Sequence, residues 1–207
     1  MSKIDYIINE IEYAVDTLVN VKLYQTTDSV NLSSDNLNSD DKLQSIKVMR
    51  VNHMGEICAQ ALYRGQAIVT KDSTIKEELY KMCEEEKNHL KLCSTRLKEL
   101  DGRTSIFNPL WYVSSFALGM VAGLNEKKWK MGFIEETEKQ VNEHLDEYIN
   151  LVPKTDKRTK EILKIIKEDE KRHQKKAGEL GSEELPNNMK NFMSIFSKCI
   201  KKVSSYI

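Results

Sequence analysis

Two nearly identical pentapeptides, Glu85-Glu86-Lys87-Asn88-His89 and Asp169-Glu170-Lys171-Arg172-His173, stand eighty-four residues apart and use two of the chain's four histidines. Along an α-helix a step of three residues turns through about 300°, so the glutamate and histidine of each copy project from one face and can reach one cation. A single copy would read as an ordinary solvated helix face. Two copies on separate helices still need further carboxylates, and the bundles that hold two metal ions take one glutamate from each of two other helices. The repeat therefore asks for at least four helices around a shared interior.

The remaining sequence can supply them. Four long segments, 41–70, 74–100, 126–151 and 156–179, are rich in Leu, Ile, Ala, Glu and Lys, the composition of helices. Asp72-Ser73 precedes the second, Asp101-Gly102 ends it, Pro153 closes the third, and Thr155-Asp156 can cap the fourth. With only eight glycines and three prolines, and no alternating runs separated by turn dipeptides, the expected class is all-α. At 207 residues the chain suits one domain. It divides into an N-terminal amphipathic helix (within residues 1–25), a polar linker (26–41), a bundle (42–180) and a C-terminal amphipathic helix (187–207).

In the first bundle segment the only glutamate is Glu56, set among apolar and small residues. The third offers Glu135, Glu136, Glu138, Glu143 and Glu147. Glu56 precedes Glu86 by 30 residues and Glu138 precedes Glu170 by 32, against 35 for Glu135, so Glu138 is the best internal match and Glu135 the second. Four carboxylates and two imidazoles make an oxygen-rich set suited to iron or manganese rather than structural zinc. His53 and His144 lack a glutamate three residues before them, but each lies near a proposed ligand and is a candidate hydrogen-bond partner behind it.

Between the segment pairs, residues 107–124 carry no charge, and they are marginal in length for a membrane span, which needs about 20 apolar residues. The tail spaces Met189, Phe192, Met193, Phe196, Ile200 and Val203 at helical intervals among lysines, a pattern that suits either a membrane surface or docking on the bundle. Phe116 and Leu118 are the positions taken to face lipid. Equal numbers of basic and acidic residues, 32 each, give no electrostatic case for nucleic acid. Four isolated cysteines read as free thiols in a reducing compartment. The first twenty residues lack a signal-peptide pattern and read as a mature helix.

The strings MRVNHMGEICAQALYRGQA, EEEKNHL, NPLWYVSSFALGMVAGL and ETEKQVNEHL resemble the 3-demethoxyubiquinol 3-hydroxylase family of ubiquinone biosynthesis, over residues 43–178. That resemblance implies a ferritin-like four-helix bundle with an extra apolar crossover helix. It implies two Fe2+ ions per subunit held by Glu56, Glu86, His89, Glu138, Glu170 and His173, which decides for Glu138 over Glu135. Glu86 and Glu170 are then the bridging, catalytic carboxylates. It further implies demethoxyubiquinol and O2 as substrates, membrane lipid and other proteins of ubiquinone biosynthesis as partners, and a peripheral position on the cytoplasmic face of the inner membrane. Bacterial members of that family usually have alanine where Met54 stands, a departure that leaves every ligand in place. No Gly-x-Gly-x-x-Gly fingerprint for a nicotinamide or flavin domain occurs, so electrons come from NADH through the quinone or from a separate reductase.

Overall fold

The computed structural model describes residues 3–19 and 36–206. Within them run seven helices: α1 (Lys3–Val19), α2 (Ser39–Val69), α3 (Ser73–Glu99), α4 (Asn108–Gly123), α5 (Lys127–Leu151), α6 (Lys157–Glu179) and α7 (Asn187–Tyr206). The expected all-α, ferritin-like class holds. Most of the expected polar linker falls outside the described residues. Its end is earlier than its composition suggested, because Asn38 caps α2: its Oδ1 accepts the Asp41 backbone N–H at 2.8 Å, which places Asp40 and Asp41 in the first turn at the positive end of the helix dipole. Asp72 caps α3 in the same way, accepting from Thr74 and Ile75.

Helices α2 and α3 form one antiparallel pair, α5 and α6 the other, and the uncharged α4 lies along α2. Glycines make that last contact possible. A Cβ at Gly65 would stand 2.1 Å from the Phe116 carbonyl oxygen, and one at Gly119 would stand 2.1 Å from that of Leu62. Any side chain at either position would push the two helices apart.

Two apolar clusters fill the ends of the bundle. One contains Val48, Met49, Cys93, Leu97, Leu145, Ile162, Leu163 and Ile166; the other contains Leu62, Tyr63, Leu79, Met82, Phe133, Ile134 and Ala177. On each of α2, α3, α5 and α6 the first cluster occupies one end and the second the other. The expected ligands fall between them on all four helices, in a stretch closed to water from above and below.

The outer helices are each half committed. α1 is tied to α2 by a bidentate ion pair, Arg64 to Glu10 at 2.6 and 2.7 Å, and by Tyr13 donating to Gln60 Oε1 at 2.9 Å, while Ile4, Ile7, Ile8 and Ile11 stay exposed. α7 docks on α2 and α5 through Met193, Ile200 and Ser204, with Trp111 Nε1 donating to Ser204 Oγ at 3.0 Å. Its Phe192 and Ile195 remain exposed. On α4 the outward row is Leu110, Val113 and Val121. Phe116 packs instead on Ile57, Leu90 and Tyr112, and Leu118 packs on the second cluster, so both point inward, contrary to expectation. Among the described residues no helix is long and apolar enough to cross a membrane.

Candidate metal centre

All six expected ligands are buried: Glu56 on α2, Glu86 and His89 on α3, Glu138 on α5, Glu170 and His173 on α6. Their ligating atoms gather in two groups, each lying within 4.8 Å of itself. One consists of Glu56, Glu86, His89 and Glu170; the other of Glu86, Glu138, Glu170 and His173. Glu86 and Glu170 belong to both. Each group thus has one private glutamate, one private histidine and two shared carboxylates. Because a carboxylate has two oxygens, the shared pair can contact two cations at once.

The imidazoles are oriented by acids that sequence reasoning left without a role. His89 turns Nδ1 toward the cluster, 2.9 Å from Glu86 Oε2, and Nε2 outward, 3.0 Å from Asp169 Oδ2 on α6. His173 mirrors it, with Nδ1 3.2 Å from Glu170 Oε2 and Nε2 2.6 Å from Glu85 Oε2 on α3. An ionised carboxylate only accepts, so each Nε2 carries a proton and donates it outward. Without a cation Nδ1 is protonated as well and faces Glu86 or Glu170; a metal would displace that proton, and the outward hydrogen bond would hold the remaining one on Nε2, as is usual where a carboxylate stands behind a histidine ligand. The signal for these acids was present in the repeat, since Glu85 and Asp169 each directly precede a ligand glutamate.

Six ionisable groups in a dry interior shift one another strongly. Burial pushes Glu56 and Glu138 well above the usual carboxylate range. Burial also acts on Glu86 and Glu170, but hydrogen bonds from His89 and His173 outweigh it and hold both below that range. For the histidines burial disfavours the charged form, yet their carboxylate partners raise both pKa values, that of His173 to about 12. Protons on the imidazoles and on two glutamates therefore offset the buried negative charge, and divalent cations would take their place. Glu138 Oε1 is fully buried without a hydrogen-bond partner, and Glu86 Oε1, also buried, faces His173 Nδ1 at 3.1 Å. A buried acceptor left unpaired is costly, and a cation would satisfy it and replace the imidazole proton, so the residues fit a metal pair.

Beside this cluster lies a mostly apolar cavity of about 150 Å³. Met54, Cys58 and Leu62 of α2, Ser115 and Leu118 of α4, Phe133 and Val141 of α5, and Met193, Phe196 and Ile200 of α7 line it, and Glu56, Glu138 and Glu170 open onto it. His144 is part of its wall. His53 is not: it is buried, burial lowers its pKa to about 3, and its ring nitrogens bond neither Glu56 nor any other group. The expected pairing of His53 with a ligand is therefore absent.

The model of the ubiquinone biosynthesis protein COQ7 family matches residues 44–204. The chain belongs to the COQ7 family. It is 40% identical over 204 residues to a 3-demethoxyubiquinol 3-hydroxylase of Xanthomonas axonopodis pv. citri, covering 98% of this chain and 94% of the relative. A protein with the same name from Xanthomonas campestris pv. campestris is 46% identical over 157 residues, 76% of this chain and 72% of its own. One from Chromobacterium violaceum is 42% identical over 176 residues, 85% of each. All six ligand positions lie within the matched COQ7 region. So does Met54, whose sulfur accepts from the Cys58 thiol at 3.5 Å on the cavity wall.

Proposed function

We propose that this chain is a 3-demethoxyubiquinol 3-hydroxylase that holds two Fe2+ ions on Glu56, Glu86, His89, Glu138, Glu170 and His173. It adds one oxygen atom of O2 to the ring of demethoxyubiquinol and gives the demethylated ubiquinol precursor. Two electrons from an outside reductant and two protons convert the second oxygen atom to water. The observation that carries this reading is that Glu86 and Glu170 belong to both ligand groups, the arrangement of bundles that hold two metals. When bound, the iron pair supplies the activation of O2.

The chain's own residues do the rest. Glu86 and Glu170 would contribute to holding both ions, Asp169 and Glu85 fix the two imidazoles, and the flanking apolar clusters keep water away. The apolar cavity seats the quinol ring next to Glu138 and Glu170. An iron-storage bundle would share the ligands, but the cavity and the exposed apolar rows of α1 and α4 favour an apolar substrate drawn from lipid. We place the protein peripherally on the cytoplasmic face of the inner membrane, with those rows toward the bilayer.

Quinone profiling of a strain lacking the gene tests the function. Demethoxyubiquinone should accumulate, and ubiquinone should return with the wild-type chain but not with Glu138→Ala. Normal ubiquinone in the deletion strain, with no second hydroxylase present, would reject the reading.

A further inference from the structure

We infer that His144 binds the quinol substrate by donating its Nε2–H to a ring oxygen, and that Lys201 is the positioning residue that keeps the proton on that nitrogen. This inference rests on the function proposed above and adds to it the contact that orients the ring.

Lys201 Nζ on α7 lies 3.1 Å from His144 Nδ1 on α5. An ammonium group has donors and no acceptor, so Nδ1 must accept and the ring proton sits on Nε2. Burial, with the Lys201 charge adding to it, lowers the pKa of His144 to about 3, so the ring is neutral and carries that single proton.

Nε2 is fully buried and has no hydrogen-bond partner. A buried N–H left unsatisfied is costly, and such groups usually have a reason to be there. Here the reason is at hand, because His144 lines the apolar cavity onto which Glu138 and Glu170 open. In a cavity with few polar groups, one fixed donor decides which way a ring oxygen points.

The other side of the dyad is wet. Gln140, His144, Ser197 and Lys201 line both the cavity and a neighbouring polar pocket that also contains Glu143, Glu147 and Lys198. Glu147 Oε2 stands 3.9 Å from Nδ1, and the Tyr148 ring packs edge-on to the imidazole, centroids 3.8 Å apart. Lys201 belongs to both walls; burial lowers its pKa while the Glu147 charge works against that.

The test uses full-length, iron-loaded protein and a short-tailed, isotope-labelled demethoxyquinone, read by affinity and by the infrared carbonyl band of the bound quinone. In the wild type the band should shift down. In His144→Phe the shift should vanish and binding weaken roughly tenfold, the loss of one hydrogen bond. His144→Gln, which keeps a donor, should recover much of both, and Lys201→Met should lose part of the shift at unchanged iron content. Wild-type affinity and band position in His144→Phe would overturn the assignment while leaving the quinol reading intact. So would a Gln variant no better than Phe, or loss of iron from His144→Phe together with the quinone. If the wild-type protein itself binds no demethoxyquinone, the quinol reading fails and this inference with it.

Discussion

Sharing of Glu86 and Glu170 between the two ligand groups makes the six positions unequal. Glu86→Ala removes a ligand from both groups and should leave almost no iron, whereas Glu56→Ala spoils only the group with His89 and should retain close to one ion per chain. Metal analysis of both variants distinguishes them, and half-loaded Glu86→Ala would contradict the shared assignment. The acids behind the histidines should matter nearly as much. Asp169→Asn and Glu85→Gln are each expected to weaken iron binding by roughly 10- to 100-fold with the helical circular dichroism unchanged, measured by competition with a chelator. The ligands themselves were readable in the sequence because a helix fixes what a spacing of three residues means. The crossing of His89 to Asp169 and of His173 to Glu85 was not, since it pairs residues 80 and 88 positions apart and no local spacing encodes it.

Helix ends and helix phases behaved differently as signals. Asp72 and Asp156 were visible as caps because a short acidic side chain before a helical run has a local job. Asp156 has a second, tertiary one: wholly buried, it caps α6 through the Thr159 N–H and accepts from Arg96 of α3, both at 2.8 Å. Burial works to raise its pKa, but its hydrogen bonds, those of Thr159 among them, and the Arg96 charge hold it below the usual value. A carboxylate depressed in the folded state stabilises above its unfolded pKa, about 3.9, and that stability is lost as pH falls through the folded value. Urea midpoints of the wild type should therefore drop below about pH 4, and Asp156→Ala should already be destabilised at neutral pH, by roughly 3 kcal/mol for a buried pair broken on one side. A variant as stable as the wild type at pH 7 would remove Asp156 from this role. The phase of α4, by contrast, could not be read. A segment without a single charge has nothing to mark its outer face, and the close seam at Gly65 and Gly119, which turns Phe116 and Leu118 inward, depends on the partner helix.

The exposed apolar rows belong to the molecule as a whole, because the outward face of α4 and that of α1 lie on helices that touch each other. Val113→Asp combined with Val121→Asp should reduce sedimentation with anionic liposomes and turnover of a long-tailed quinone, while iron content and turnover of a short-tailed analogue stay near wild type. Equal loss for both substrates would argue that this face packs against protein. That the chain folds as a bundle around one site was legible from the repeat; which surface meets lipid was not, since exposure is decided only when the helices assemble. The crossed histidine partners also bear on biosynthesis. The α2–α3 hairpin leaves the ribosome first, carrying Glu56, Glu86 and His89 but lacking Glu170 and the acid that steadies His89. The second hairpin alone is short of Glu86 in the same way. Neither hairpin alone holds a complete ligand group, so a metal pair would be fully enclosed only once α6 has seated itself, a late clasp that reports an assembled bundle.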